Sequence, residues 1–429
     1  MLGGGTFVSQ NKKLPGSYIN FVSAAKANAS LADRGYVAMP LVWDWGVDGE
    51  VFTVTNMDFV RNCRAIFGYE YTDEKMIGLR DLFKHADTVY FYKLGTGATK
   101  ASCDFATAKH AGTRGNELRI VVDVNEDKFD VCTYFGTTLL ETQTVATASE
   151  LVDNDYVVFK KDAKLVETAS TPFVNGANGT VTASAWQEAL TAFESYSFNI
   201  IGVVSAEETI QDLVIEWTKM MRDQMGIKFQ AVVYNNEADD KAIINVVSKP
   251  KVGGEAELVY WVAGAQAGCE VNASCTNMKY DGDYDIEVNV SQQDLEAALD
   301  DGKFIFHRVG EDVRVLEDIN SMVTTSVDQN DDFKSNQTIR VIDQVATDIA
   351  SLFNTRYLGI IPNDSAGRIS LWNDIVKHHQ ELQQLRAIEG FDPEHVVVEQ
   401  GDTKKSVVVT DKITVVNAMA QLYMTVVVA

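Results

Sequence analysis

The sequence predicts a multidomain protein of mixed α/β and α+β class. Its 429 residues exceed one typical hydrophobic core, so we expect roughly two to four domains. Strand-like and helix-like segments alternate in the second half of the chain, whereas residues near 100–180 alternate apolar and polar side chains with period two. The first pattern indicates helices packed on a sheet, and the second indicates a small β-rich insertion.

Charge and composition exclude several classes of function. Hydrophobic residues make up 46% and charged residues 23% of the chain, the balance of a folded globular protein. Asp and Glu number 61 against 37 Lys and Arg, which gives a formal net charge of −24. This charge argues against direct nucleic-acid binding and against docking on anionic membranes. It favours solubility when many copies are crowded together.

The cysteine content and the hydropathy of the chain predict the compartment in which the protein is found. The five cysteines are odd in number and lack Cys-x-x-Cys spacing, which argues against a disulfide framework or zinc site and favours reducing conditions. The N-terminal segment has no apolar core of a secretory signal, and no window approaches about 18 consecutive apolar residues. We therefore expect neither secretion nor membrane insertion.

Residues 1–28 and 29–98 have different patterns. Glycines and a proline interrupt residues 1–28, which are predicted to be either a loose terminus or an extended arm that pairs with another chain. In residues 29–98, Thr55 and Asp58 form an approximate capping box for a helix that ends at Gly68. A second helix is predicted over Asp73–Lys84 and a strand over Thr88–Leu94.

Residues 99–182 are predicted to be the β-rich insertion, and residues 183–325 an α/β domain. Strands of the insertion are predicted at Leu118–Val124, Phe129–Phe135 and Tyr156–Lys160. In the α/β domain, Ser184 with Gln187 and Ser205 with Glu208 resemble capping boxes. The helix after Ser205 lies between two apolar strands, Phe198–Val204 and Ile227–Tyr234, which is the pattern of a βαβ unit.

Residues 326–418 carry two amphipathic helices followed by valine-rich strands. The second helix is predicted over Ile369–Ile388. Residues 419–429 form a last apolar segment, and a strand that ends a chain leaves backbone donors and acceptors open unless another strand pairs with it. Valine-rich stretches occupy Val396, Val397 and Val398, then Val407, Val408 and Val409, then Val426, Val427 and Val428.

No motif in the sequence carries convincing chemistry. The glycines at 95–97 lack the spacing of a phosphate loop, and the aspartates at 281, 283 and 285 lack the glycine and glutamate of a calcium loop. Ser205 lies where a nucleophile could sit, but its spacing to Glu208 already explains it as a helix cap. We therefore predict no enzyme, no cofactor and no metal. The alternatives are a hydrolase with an unrecognised site on the α/β domain and a surface-layer or adhesin-like protein, which the lack of a signal peptide disfavours.

Five segments carry a family resemblance: Leu14–Phe21, Ala29–Gly35, Gly46–Val51, Ile66–Tyr69 and Leu371–His379. Together they resemble the tail sheath proteins of contractile phages and of phage-like particles of Gram-positive bacteria, such as R-type bacteriocins (tailocins) and defective prophages. The domain order resembles that family over essentially the whole chain. It agrees with the residue patterns, which already suggest self-assembly through extended ends.

The resemblance implies a structural subunit that polymerises as stacked hexameric rings around a tail tube and contracts to drive the tube through the target envelope. It implies a subtilisin-like fold without protease activity for residues 183–325 and a C-terminal domain with swapped terminal strands. The implied partners are further copies of the chain, the tail tube protein, and the baseplate and tail terminator proteins. The implied location is a virion tail or phage-like particle assembled in the bacterial cytoplasm.

The resemblance also implies roles for particular residues. Strand exchange would use an N-terminal arm with Phe7, Val8, Tyr18, Ile19 and Phe21, and a C-terminal arm with Tyr423, Val426, Val427 and Val428. The receiving strands would contain Val396, Val397, Val398, Val407, Val408 and Val409. Lys377, His378 and Arg386 would face the tube, with an ordinary solvated helix face as the alternative reading of these three residues.

Overall fold

The computed structural model describes residues 31–428. They form two compact units, one of residues 33–343 and 417–428, the other of residues 31–32 and 344–416. The predicted N-terminal arm, with Phe7, Val8, Tyr18, Ile19 and Phe21, lies outside the described residues. Within the described residues, no helix combines the length and apolar character that a membrane span requires.

The first elements of the larger unit follow the sequence signals closely. The Thr55–Asp58 capping box is present, and Gly68 ends the helix with a φ of +80°, a conformation that glycine adopts without strain. The predicted strand at Thr88–Leu94 has those bounds. The predicted second helix begins with a short 3₁₀ turn at Glu74–Met76. The elements are β1 (Tyr36–Val42), β2 (Val51–Thr55), α1 (Asn56–Phe67), α2 (Ile77–Phe83) and β3 (Thr88–Leu94).

The β-rich insertion has two antiparallel sheets. Its strands are β4 (Lys100–Ser102), β5 (Ala106–Ala111), β6 (Leu118–Asn125), β7 (Lys128–Phe135), β8 (Thr138–Val145), β9 (Val157–Phe159) and β10 (Thr168–Pro172). One sheet has the order β10-β6-β7-β8, and the other β4-β5-β9. Side chains of both sheets, among them Ile120, Val131 and Phe159, belong to one buried cluster, as expected for two sheets packed face to face.

The later elements of the larger unit complete a seven-stranded, doubly wound sheet that also contains β1, β2 and β3. They are α3 (Ala183–Phe193), β11 (Ile200–Gly202), α4 (Glu208–Asp223), β12 (Gln230–Tyr234), β13 (Ile243–Val246), α5 (Leu258–Gly268), α6 (Gln292–Asp300), β14 (Lys303–Phe304), β15 (Phe306–Val309) and β16 (Asp312–Val315). The seven-stranded sheet has the order β14-β13-β12-β11-β1-β3-β2. All neighbours in it are parallel except the edge strand β2. The predicted βαβ unit is β11-α4-β12, while β15 and β16 form a separate antiparallel hairpin.

Two predicted helix caps are wrong. The hydroxyl of Thr182 accepts from the Ala185 amide, so α3 begins before Ser184. Helix α4 begins at Glu208 after Glu207, which makes no side-chain capping bond. The Ser205 hydroxyl instead accepts from the amide of Glu207, 3.1 Å away, and forms a turn before the helix. Serine spacing alone does not distinguish a cap from a turn two residues earlier.

Helix α5 is buried on every side, from Leu258 to Ala267. Two of its glycines permit this position. A Cβ atom on Gly264 would lie 2.3 Å from the carbonyl oxygen of Leu82, and one on Gly268 would lie 2.2 Å from that of His85. These distances are shorter than any real Cβ contact, so glycine is required where α5 passes the backbone at the end of α2.

The smaller unit consists of the end of α7 (Asn336–Leu352), α8 (Ser365–Gln384) and four short strands. The strands are β17 (Ile388–Glu389), β18 (Val397–Gln400), β19 (Val407–Thr410) and β20 (Thr414–Val415). They pair as two antiparallel ladders, β17 with β20 and β18 with β19. The predicted helix Ile369–Ile388 is therefore shifted. Arg386 has a φ of +64°, which ends the helical path and places Ile388 in β17.

A buried carboxylate, Asp318, joins separate segments of the larger unit. Both Asp318 and Arg340 are about 2% exposed, and Arg340 Nη2 lies 3.2 Å from Asp318 Oδ2. Gln266 of α5 and Asn336 of α7 donate to the other carboxylate oxygen at 2.6 and 3.0 Å, and the Cys275 amide donates to Oδ2 at 3.0 Å. Burial would raise the pKa of Asp318, but Arg340 and these donors outweigh it, so the pKa is lowered.

We expect Asp318→Asn to lower the free energy of unfolding at pH 7 by about 3–5 kcal/mol, because it leaves Arg340 buried without a counter-charge. The new amide donor would also face donors that now bind the carboxylate. Since the pKa of Asp318 is lowered by folding, its contribution is present above the ordinary carboxyl pKa of about 3.9 and is lost as the pH falls below that value. Urea unfolding of both proteins should therefore show a constant difference from pH 7 to about 5 that shrinks below about pH 4.

Asp285→Asn is the matched control. Asp285 pairs with Lys251 in solvent, with side chains 74% and 51% exposed. This substitution should change the free energy of unfolding by less than about 1 kcal/mol. Equal effects of the two substitutions would contradict the central role of the buried pair.

Candidate interaction surfaces

The end of the chain is an exposed apolar segment. Asn417 and Ala418 are tied to α7, since Asn417 hydrogen-bonds Thr338 at 3.1 Å and the Ala418 amide donates to Gln337 Oε1 at 2.9 Å. Beyond this anchor, the large apolar side chains through residue 428 are 70–100% exposed. They include Tyr423 at 88%, Val426 at 70%, Val427 at 86% and Val428 at 90%. The sequence analysis did not predict this anchor. Its one signal in the sequence is the polar Asn417, which lies between two valines and the last apolar segment.

The exposed segment has the composition of a β-strand, although it pairs with no strand of the described residues. Residues 419–428 contain no charged side chain and no proline or glycine. In the described part of the chain, residues 417–428 take part in no strand ladder. An uncharged, β-prone segment with open backbone groups is a template for pairing with another chain.

The predicted receiving valines form the hairpin β18–β19 and its approach. The register pairs Val398 with Val409 and Gln400 with Val407. Val396 is buried before β18, where its carbonyl accepts from Trp372 Nε1 at 2.9 Å. Among the described residues neither strand has a second neighbour, so each leaves one edge open.

The six valines divide between two faces of the hairpin. Val396, Val398 and Val407 belong to, or pack on, the hydrophobic cluster formed with α8. Val409 lies opposite Val398 and therefore on the same face, where it is 40% exposed, whereas Val397 and Val408 lie on the other face and are 42% and 52% exposed. The inward set fixes the hairpin on its own unit, and the outward set leaves an apolar surface beside open strand edges.

The second ladder of this unit borders a cavity of about 570 Å³. Arg386, Ile388, Phe391 and Val416 are among its lining residues. Strand β20 is only two residues long and pairs Val415 with Ile388.

The three predicted tube-facing residues do not share one face. Lys377 is exposed on α8, and Arg386 is exposed beyond the end of the helix. His378 is 1% exposed, so its assignment to an exposed polar face is wrong in this structure. The reason is that residues 375, 378, 379 and 382 form the buried stripe of α8.

His378 and His379 form a buried hydrogen-bonded relay. His378 Nε2 lies 2.9 Å from Asp348 Oδ2, the two Nδ1 atoms are 3.1 Å apart, and His379 Nε2 contacts Asp411. A contact between two ring nitrogens requires one N–H donor and one lone pair. The adjacent histidines are thus structural groups that join α7, α8 and the segment before β20.

No catalytic or metal-binding arrangement emerges from the described residues. Asp281 contacts His85 and Trp261, Asp283 pairs with Arg80, and Asp285 pairs with Lys251. Within residues 31–428, no group of three or more His, Cys, Asp or Glu side chains is placed to hold a metal ion. The candidate surfaces are therefore those of the exposed C-terminal segment and the open hairpin.

Comparisons with known proteins identify the family. Four descriptions of phage tail sheath domains match consecutive parts of the chain: the tail sheath protein Gp18 domain III N-terminal region over residues 34–94, the phage tail sheath protein beta-sandwich domain over 95–178, the central domain over 179–321 and the C-terminal domain over 328–429. The chain is 30% identical to the phage-like element PBSX protein XkdK of Bacillus subtilis, over 98% of this chain and 99% of that protein.

Solved structures of sheath proteins lead to the same family. A sheath tail protein from Desulfitobacterium hafniense is 31% identical, with a TM-score of 0.83 over 94% of this chain and 97% of that chain. The contracted helical sheath of the anti-feeding prophage has a TM-score of 0.58 over 97% of this chain and 99% of that chain, at 12% identity, a likeness of fold. The mixed α/β architecture with a β-sandwich is shared with these sheath structures. The resemblance seen in the sequence is confirmed: the chain belongs to the phage tail sheath family and is a structural, non-enzymatic subunit of the contractile tail of a phage or phage-like particle.

Proposed function

We propose that this subunit polymerises as stacked hexameric rings around a tail tube and that its terminal arms exchange strands between neighbouring subunits. The observation that carries the proposal is the uncharged segment 419–428, whose apolar side chains are 70–100% exposed. The open edges of β18 and β19 supply the acceptor in another copy. This is recognition by addition of a strand, in which backbone hydrogen bonds give affinity and alternate side chains give specificity.

The energetics favour such an exchange. Each added backbone hydrogen bond contributes roughly 0.5–1.5 kcal/mol net. Burial of each exposed valine adds roughly 1.5–3 kcal/mol when it is complete. A few residues therefore offset the entropy lost when a single-stranded arm is ordered.

Strand exchange also suits contraction. Contraction requires two packings of the same subunits, with the extended packing higher in free energy and kinetically trapped. Arms that remain paired keep the rings connected while the interfaces between subunit bodies break and re-form. An arm of about 20 extended residues reaches up to roughly 70 Å, enough to span to a neighbour through large movements. The energy is stored during assembly, so the subunit consumes no nucleotide.

The proposal also assigns a role to each segment of the chain. Residues 1–28 act as the N-terminal arm, 29–98 pack on the core, 99–182 form the β insertion, 183–325 form a subtilisin-like domain, 326–418 form the C-terminal domain, and 419–429 form the C-terminal arm. The parallel sheet flanked by helices supports an α/β domain of this class. The partners are other copies, the tail tube, the baseplate and the tail terminator, and assembly takes place in the bacterial cytoplasm.

Lys377 and Arg386 are the proposed tube contacts. Both are exposed cations of the C-terminal unit in a chain whose net charge is −24. Exposed charges of this kind guide association and set its register more than they set its strength. His378 contributes indirectly, by holding α8 in place through Asp348 and His379.

The double substitution Val426→Lys/Val428→Lys should abolish assembly without unfolding the subunit, because both side chains are exposed and charge opposes strand burial. Val397→Lys/Val408→Lys, on the outward face of the acceptor hairpin, should have the same effect. Negative-stain electron microscopy over a concentration series, with and without tube protein, would show striated cylinders for the wild type and small particles for both variants.

Val252→Lys/Val327→Lys is the control for this experiment. These valines are also highly exposed, at 83% and 101%, but lie outside the arm and the hairpin. The control should assemble like the wild type. Cylinders formed by the arm variant, or by a chain lacking residues 426–429, would refute strand exchange by the C-terminal arm.

Charge reversal at Lys377→Glu/Arg386→Glu should weaken co-sedimentation with tube protein about tenfold at low salt, an effect that salt should diminish. Lys161→Glu/Lys251→Glu changes the net charge equally at two exposed lysines of the other unit and should leave tube binding unchanged. Equal losses for the two pairs would show a general charge effect and contradict the assignment.

His378→Phe should act on stability instead. It keeps a ring in the core but removes the donor to the buried Asp348 carboxylate, so it should lower the free energy of unfolding by about 1–3 kcal/mol. Lys377→Glu should change it by less than about 1 kcal/mol, because the contacts of an exposed lysine are weakened by solvent. Thermal unfolding of both variants separates the two roles, and a fully stable His378→Phe protein would contradict the structural role of the relay.

A further inference from the structure

Two of the five cysteines converge in the loop that follows α5. The Cys269 amide donates to the carbonyl oxygen of Ala265 at 2.9 Å, and the Cys275 thiol lies 3.8 Å from the same oxygen. Both residues thus lie against the same carbonyl group, and the pKa of each thiol depends on the other. Only five residues separate them in sequence, so their contact closes a small loop.

The loop is held at both ends by charged groups. Arg34 Nε donates to the Cys269 carbonyl at 2.9 Å, and Arg340 donates to the Ala273 carbonyl at 2.7 Å. The Cys275 amide donates to Asp318 at 3.0 Å. The loop that carries both cysteines is therefore held by fixed contacts of its backbone, which keep the two residues in place beside the Ala265 carbonyl.

The two thiols differ in exposure and in acidity. Cys275 is fully buried, whereas Cys269 is partly exposed. The neighbouring Cys275 thiol lowers the pKa of Cys269, aided by Arg340 and Arg34 against the effect of burial, while the neighbouring Cys269 and burial raise the pKa of Cys275. By contrast, burial raises the pKa of Cys63 to about 12 and raises that of Cys103. A partly exposed thiol of low pKa beside a second thiol is the arrangement of an attacking and a resolving cysteine.

We propose that Cys269 and Cys275 are a redox-active pair that closes to an intramolecular disulfide on contact with a low-molecular-weight disulfide such as oxidised glutathione. The Cys269 thiolate attacks one sulfur of glutathione disulfide, forms a mixed disulfide and releases one glutathione thiolate. Cys275 gives its proton to solvent and attacks the sulfur of Cys269, which releases the second glutathione. Two protein thiols are oxidised, and one glutathione disulfide is reduced to two thiols.

The pair would respond to the change of environment that a released particle meets. Reducing conditions in the bacterial cytoplasm keep both thiols free during assembly, and an oxidising medium outside favours the disulfide. The bond would fasten the end of α5 to the segment that donates to Asp318. The proposal depends on the chemistry of this loop and is independent of strand exchange.

Peptide mapping of the oxidised full-length chain tests the pair. The purified protein is incubated with oxidised glutathione, its remaining thiols are alkylated after denaturation, and it is cleaved on the carboxyl side of glutamate without reduction. Cleavage after Glu270 separates the two cysteines, so a disulfide keeps both fragments joined in the mass spectrum until a reductant is added. We expect joined fragments lighter by two hydrogen atoms, with the other three of the five cysteines alkylated.

Two single substitutions separate the roles of the thiols. Cys275→Ser should trap glutathione on Cys269, because the resolving thiol is absent, and Cys269→Ser should leave Cys275 unmodified, because it is buried. Cys63 and Cys103 are internal controls in every sample, and we expect Cys269 to be modified at least about 30-fold faster than Cys63, from the thiolate fractions corrected for nucleophilicity. Alkylation of all five cysteines after oxidation, a disulfide between two chains, or equal rates at Cys269 and Cys63 would each overturn the proposal.

Discussion

The buried ion pair between Asp318 and Arg340 organises the larger unit. A carboxylate that is 2% exposed is tolerated only because a guanidinium and several N–H donors surround it. Those donors come from α5, from the loop after it and from the start of α7, segments that lie far apart in sequence. One group thus fixes where the most buried helix ends and where the next long helix begins. The same carboxylate holds the loop that carries Cys275, because it accepts a hydrogen bond from the amide of that residue.

Charged groups inside the fold are paired, whereas strand edges and apolar side chains on the surface of the described residues have no partner. The interior pairs its charges closely, as at Asp318 and at the relay of His378 and His379. The surface instead leaves an uncharged apolar segment and two hairpin edges without a strand partner among the described residues. For an isolated protein this is an aggregation hazard. For a subunit that joins copies of itself it is the means of assembly that we propose, and the net charge of −24 limits unspecific association.

The histidine pair shows how a local pattern can mislead. Two adjacent histidines beside a lysine read as part of a polar helix face, because adjacent residues point in different directions and polar residues are usually exposed. Asp348 precedes them by 30 residues and Asp411 follows by 32, so the partners that make their burial possible are invisible to helical spacing. Buried polar residues are set by long-range pairing, which a periodic pattern does not contain.

The sequence by itself determined the local elements and the family. The Thr55–Asp58 cap, the strand at Thr88–Leu94, the βαβ unit and the valine-rich strands depend on neighbours within a few residues, so the order of side chains is enough to predict them. Only the tertiary structure decided that His378 is buried, that Ser205 forms a turn and not a cap, that Asn417 anchors the terminal segment, and that Cys269 meets Cys275. The physical reason is that each of these depends on a partner brought near by the packing of other elements, and the free energy of that packing is a property of the whole fold.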